Sequence, residues 1–178
     1  RKEKVIDALT GGLAQLAKRR NVKVVQGQGM FTASNTLEVI QQDAGSQKIT
    51  FDHCILASGS RPARIPAFDI GSPRVMDSTG ALQLEDIPES LLVVGGGYIG
   101  LEMGTVYAEL GSRVSVVELT DSLLPGADRD LVKPLHKRLG NLFEAIRLNT
   151  KVTGLKDNGK GVDVSFEGPE GQTTETFS

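Results

Sequence analysis

The segment LLVVGGGYIGLEMGTVYAELGSRVSVVE, residues 91–118, runs from four apolar residues into three consecutive glycines and ends on an acid. Within a helix or strand each glycine costs roughly 0.5–1 kcal/mol relative to alanine, so the cluster must be offset by some other gain. The pattern predicts a buried strand over 90–96, a helix over 98–111 stopped by Gly111 as its C-terminal cap, and a second strand over 112–118. Gly95, Gly97 and Gly100 then satisfy G-x-G-x-x-G directly after a strand and at the opening of a helix. In such a unit Gly95 permits the tight turn, Gly97 lets a pyrophosphate approach the backbone, and Gly100 lets helix and strand pack closely. The helix N-terminus adds unpaired N–H groups and the positive end of its dipole. Gly104 and Ala108 continue from Gly100 at steps of four, giving the helix a smooth face toward the sheet.

Glu118 closes the unit twenty-three residues after Gly95. A carboxylate at the end of the second strand can accept both ribose hydroxyls of an adenosine. It would also repel a 2′-phosphate, and the following ELTDSLLPGAD supplies no cation before Arg129, so NAD is predicted over NADP.

Around this unit, residues 2–20 carry Val5, Ile6, Leu9, Leu13, Leu16 and Ala17 at helical spacing, with Gly11-Gly12 opposing a helix. The basic run Lys18-Arg19-Arg20 suits the solvated C-terminal end of that helix. VKVVQGQGMF, TLEVI and QKITFDHCILASG are predicted as strands, the last of them burying Cys54 as core packing. SRPARIPAFDIGSPRV is an extended connection, and DSTGALQL a short helix capped by Ser or Asp. DLVKPLHKRLGN is predicted to be a helix beginning near Asp130, which keeps Pro134 in its first turn. RLNTKVTGLKDNGKGVDVSFEG yields two or three strands with DNGKG as a hairpin turn. The fold class is α/β: a Rossmann-like βαβ unit with an appended β-meander.

Composition narrows the rest. A chain of 178 residues with 39% hydrophobic residues can build a real core. A net charge of −2 argues against nucleic acid or an anionic membrane as partner, and aromatics at 4% argue against stacked-base recognition. No apolar run approaches the ~18–20 residues of a membrane span. With the one cysteine no intrachain disulfide can form, which fits a reducing, cytoplasmic setting. His53 and His136 have no acid or cysteine neighbours at metal-ligand spacing, so no metal site is expected.

GGGYIGLEMGTVYAELGS and VVELTDSLLPGADRDLV closely resemble the NAD-binding domain of the bacterial dihydrolipoamide dehydrogenase family, flavoprotein pyridine nucleotide-disulfide oxidoreductases. VIDALTGGLAQLAKRRNVKVVQGQGMFTASNTLEV, ILASGSRP and RVMDSTGALQLEDIPESLLVVGGG extend the likeness over essentially the whole chain. The resemblance implies that Gly95, Gly96, Gly97, Tyr98, Ile99 and Gly100 form the nicotinamide-cofactor loop, with Glu118 on the adenine ribose and Val152 near the adenine. It implies that Tyr98 is a movable cover where nicotinamide meets flavin, and that Glu102 pairs with a lysine beside the flavin. Gly29, Ser58 and Gly59 would touch FAD.

It further implies that residues 1–70 are part of a split FAD-binding domain and 71–178 most of an NAD-binding domain. The family's first FAD glycine motif, its C-x4-C redox pair and its His-Glu acid–base pair have no counterpart in the sequence. The chain therefore reads as an internal segment, expected to be colourless and inactive by itself. In the full-length enzyme, dihydrolipoamide carried by lipoyl domains of 2-oxoacid dehydrogenase complexes is reoxidised through a redox disulfide and FAD, with hydride passing to NAD in a homodimer. Two alternatives stay open: a segment of another flavoprotein disulfide reductase, of mercuric reductase or soluble transhydrogenase type, and a stand-alone NAD-responsive regulatory module.

Overall fold

The computed structural model describes residues 1–42 and 45–178, which form two compact units, Arg1–Gly59 and Ser60–Ser178. The first unit opens with helix α1 (Lys2–Arg19), whose helical spacing prevails over Gly11-Gly12. An antiparallel meander follows: β1 (Gln28–Ala33), β2 (Thr36–Gln41) and β3 (Gly45–Thr50), in the order β1-β2-β3. Phe31 and Phe51 meet edge-to-face at the end of the meander, ring centroids 6.1 Å apart. The first strand starts later than its apolar run predicts, since Val22–Gln26 lie outside any strand.

Cys54 corrects the sequence reading. It is exposed, and Phe51–Gly59 form no strand. Apolar content alone does not make a strand; its N–H and C=O groups need a neighbouring ladder, and among the described residues no ladder continues along this run beyond the Phe51 N–H, which donates to the Asn35 carbonyl at 3.1 Å. Ile55 and Leu56 are exposed with it.

The second unit is built on a parallel sheet of β4 (Ser90–Val94), β5 (Arg113–Val117) and β6 (Ala145–Arg147), in the order β4-β5-β6. Helix α3 (Tyr98–Glu109) connects the first two strands and α4 (Arg129–Leu142) the last two. β5 is central and is buried from Val114 to Val117, as a parallel strand covered on both faces must be. Its side chains alternate between two cores. Val114 and Val116 join Leu101, Tyr107, Leu139 and Phe143 on the helical side, while Val117 joins Val152, Val164 and Phe166 on the other. Each fully buried side chain of this kind contributes about 1.5–3 kcal/mol, so this double burial fixes the register of the strand from which Glu118 emerges.

A short helix α2 (Ser78–Gln83) precedes the sheet, capped by Asp77, which accepts from the N–H groups of Thr79 and Gly80 at 3.0 and 2.9 Å. The Tyr107 hydroxyl donates to the Ala81 carbonyl at 2.9 Å and ties α2 to α3. Gly111 ends the α3 connection with φ +111°, a conformation that favours glycine. Helix α4 begins at Arg129, within a residue of the expected start, but Pro134 is its sixth residue and lies beyond the first turn rather than in it. The proline removes one intrahelical hydrogen bond, and burial of Val132 and Leu139 outweighs the loss.

The second face of the sheet is covered by an antiparallel meander, β7 (Lys151–Asp157), β8 (Val162–Gly168) and β9 (Gly171–Phe177). In the β7–β8 turn the Asn158 side chain accepts from the N–H groups of Lys160 and Gly161 at 3.0 and 2.8 Å, and Gly159 takes φ +83°. Arg147 on β6 donates to both carboxylate oxygens of Glu175 on β9 at 2.6 and 2.7 Å and lies over the Phe166 ring, joining sheet and meander.

Candidate functional site

The register of β4 and β5 pairs Val94 with Val117, so the two strands end level and the glycine turn emerges beside Glu118. Gly95 has φ +111° and donates its N–H to the Val117 carbonyl at 2.8 Å. Gly96 is clamped on both sides. Its N–H donates to Glu118 Oε2 at 2.7 Å, and its carbonyl accepts from the Leu124 N–H at 2.9 Å. A Cβ at Gly96 would lie 2.7 Å from Leu123 Cδ2 and 3.2 Å from Glu118 Cβ, so a side chain there would force the buried Leu123 to shift.

Gly97 is different. It precedes α3 with φ −77° and ψ 172°, and a Cβ added there would meet nothing within 4 Å. The backbone is thus open to an approaching group, as the motif requires. Behind it, a Cβ at Gly100 would run into the Gly95 carbonyl oxygen and lie 2.9 Å from Val93 Cγ1. At Gly104 it would lie 3.1 Å from Phe143 Cζ. These two glycines set α3 close on the sheet, while Gly97 leaves space.

The donors divide accordingly. Gly95 and Gly96 N–H groups are committed to protein acceptors, whereas those of Tyr98 and Ile99 head α3 and have no intrahelical acceptor. A groove of about 730 Å³ runs beside β4 and is lined by Gly95, Gly97, Tyr98 and Ile99, among others. Tyr98 and Ile99 side chains are exposed, as is Glu102.

Glu118 is 8% exposed. Burial pushes its carboxyl upward, but hydrogen bonds from Thr120, Gly96 and the Leu119 backbone outweigh that and hold it below its ordinary value. Oε1 accepts from both the N–H and the hydroxyl of Thr120, each at 2.8 Å. An ionised carboxylate offers about four acceptor positions. Gly96 and Thr120 fill three of these, and the Leu119 backbone adds to them. Spacing alone did not reveal this, nor the role of Thr120; the only signal in the sequence is a hydroxyl two residues after the acid.

Arg129, the first cation after this acidic loop in the sequence, is also committed. Its guanidinium donates to the carbonyls of Leu123, Leu124 and Ala127 at 2.9, 2.6 and 2.7 Å. Val152 is buried in the second core with Val117 and Phe166; two residues earlier, Thr150 N–H bonds the Glu118 carbonyl at 3.0 Å. Gly29, Ser58 and Gly59 lie in the first unit. Gly29 pairs with Val39 on β1–β2, Ser58 and Gly59 are exposed, and Gly59 has φ +74°.

Residues 1–177 match the pyridine nucleotide-disulphide oxidoreductase family. The chain belongs to that family. Among its curated members, the dihydrolipoyl dehydrogenase of Vibrio cholerae is 51% identical over 167 residues, covering 94% of this chain and 35% of the relative. The dihydrolipoyl dehydrogenase of Haemophilus influenzae is 46% identical over 176 residues, covering 99% and 37%. The chain thus spans little more than a third of these relatives' length. Among solved structures, the HOCl-induced flavoprotein disulfide reductase RclA of Escherichia coli superimposes with TM-score 0.76 at 30% identity, covering 98% of this chain and 39% of that one. Membership of the pyridine nucleotide-disulphide oxidoreductases implies a pyridine nucleotide and, in full-length members, FAD.

Proposed function

We propose that the second unit is the NAD seat of a dihydrolipoamide dehydrogenase. The observation that carries this reading is Glu118, buried and held ionised against the glycine turn, beside helix donors that open onto space. In this reading the N–H groups of Tyr98 and Ile99 receive the pyrophosphate over Gly97, and Glu118 accepts from the adenine ribose. The adenine lies toward the start of β7, where Val152 stands, and Tyr98 covers the nicotinamide pocket. Glu102, exposed on α3, is available for an ion pair with a lysine beside the flavin. NAD, when bound, supplies the hydride-accepting nicotinamide. The protein's own part is to orient it and to refuse a 2′-phosphate.

Gly29, Ser58 and Gly59 are proposed to touch FAD in a longer polypeptide, with residues 1–70 as part of its FAD-binding domain and 71–178 as its NAD-binding domain. By themselves these three residues form no phosphate cradle. Reoxidation of dihydrolipoamide on lipoyl domains, a homodimer and a cytoplasmic setting follow as proposals for that longer enzyme, on the strength of relatives at 46–51% identity. Service in another flavoprotein disulfide reductase is a second reading, favoured by the structural match to RclA.

Titration of the 178-residue chain with NADH, followed by nicotinamide fluorescence and displacement by NAD, tests the seat. Saturable, displaceable binding is expected; a linear response with no displacement would overturn it.

A further inference from the structure

Thr120 meets the Glu118 carboxylate with two donors on one oxygen, its N–H and its hydroxyl, each 2.8 Å from Oε1. Gly96 N–H holds the other oxygen, Oε2, at 2.7 Å. A glutamate side chain turns about three torsions, and one bond from Gly96 fixes only one oxygen. The pair from Thr120 closes the remaining freedom. The hydroxyl also lies 3.0 Å from the Ser122 carbonyl, but it has one proton, and an ionised carboxylate is the stronger acceptor.

From this geometry we infer that Thr120 is a specificity-determining positioning residue, which keeps the Glu118 carboxylate where it accepts an adenine ribose and repels a 2′-phosphate. The inference deepens the reading of this unit as an NAD seat and rests on it. A carboxylate that loses the Thr120 hydroxyl keeps the N–H bonds from Gly96 and Thr120 but turns more freely about them, and the like charge that refuses a phosphate moves with it.

The surroundings leave this task to Thr120. Of the charged groups on the neighbouring elements, Asp121 accepts from Ser122 Oγ, Arg129 is bound to three backbone carbonyls, and Arg147 is paired with Glu175. Lys151 at the start of β7 is exposed. The glycine turn carries no charge. Glu118 is therefore held by hydrogen bonds, and the Thr120 hydroxyl is one of those that keep it ionised. Thr120 is exposed, so its replacement leaves the cores intact.

The test measures NADH and NADPH affinities of the 178-residue chain between acid and neutral pH for the natural protein, Thr120→Val and Thr120→Ser. Valine keeps the shape and removes the hydroxyl. In Thr120→Val, NADH should bind about three- to tenfold more weakly. The preference over NADPH should narrow, and loss of NADH binding on acidification should begin at higher pH. Thr120→Ser should restore all three. A valine variant with natural affinity, preference and acid limb overturns the inference while leaving the NAD seat standing. A serine variant that behaves like valine also overturns it, because packing of the methyl would then be what matters. A natural chain that binds no NADH overturns the seat and this inference together.

Discussion

The Gly96 N–H and Glu118 Oε2 lie 2.7 Å apart, joining the turn after β4 to the residue that ends β5. This bond makes acid and glycine turn a single structural unit. The consequence for the motif is a division of labour: Gly96 serves the protein, and Gly97 is left for a ligand.

That division predicts opposite outcomes for two glycine substitutions. Gly97→Val places its side chain in open space at a backbone conformation any residue adopts, so melting temperature should hold while NADH binding is lost. Gly100→Val drives its side chain into the Gly95 carbonyl and Val93, so it should unfold or strongly destabilise the unit. Thermal melts followed by circular dichroism, paired with NADH titration, separate the two. Retained NADH binding in a folded Gly97→Val chain would mean that the pyrophosphate does not approach the backbone at Gly97.

Glu118 gives a pH dependence with a definite sign. Its folded-state carboxyl sits below the ordinary 4.5, so ionised Glu118 contributes stability that is complete above that value. The contribution is lost as pH falls through the depressed folded value. Glu118→Gln should therefore melt below the natural chain at pH 7, and the gap should close on acidification. An unchanged gap at low pH would show that the hydrogen bonds from Gly96 and Thr120 do not favour the charged form.

Leu123 is fully buried beneath Gly96 and presses on it. Leu123→Ala should cost about 2–5 kcal/mol, read by denaturant unfolding. It should also relieve the clash of an added methyl at position 96, making Leu123→Ala and Gly96→Ala non-additive. Strict additivity would mean that the two residues are not in contact.

Much of the fold was legible because its signals are local. The apolar run into Gly95, the helix periodicity through Ala108, the Asp77 cap and the Asn158-Gly159 turn each declare themselves within a few residues. What escaped depends on distant partners. Phe51–Gly59 has the composition of a buried strand, but a strand exists only where a neighbouring ladder pairs with it. β9 escaped for the opposite reason: Gln172 to Thr176 are polar, and the strand forms because β8 supplies the ladder. Pro134 was expected in a first turn, whereas the burial of Val132 and Leu139 carries the helix past it. At the site, motif spacing placed Gly97 and Glu118 together. It could not show that Gly96 and Thr120 already hold the carboxylate, because the Gly96 N–H is brought there only by folding and the Thr120 N–H and hydroxyl turn toward the acid only in the folded loop.

The most direct test of the account is calorimetry of NADH and NADPH binding to the natural chain and to Glu118→Ala. A charge-assisted hydrogen bond contributes about 1.5–3 kcal/mol, so removing the carboxylate should weaken NADH by about one to two decades. The natural chain should prefer NADH. The variant should lose that preference without gaining strong NADPH binding, since Arg129 remains tied to the Leu123, Leu124 and Ala127 carbonyls. Equal affinity of the natural chain for the two cofactors, or an unchanged NADH affinity in Glu118→Ala, would contradict the assignment of Glu118 to the adenine ribose.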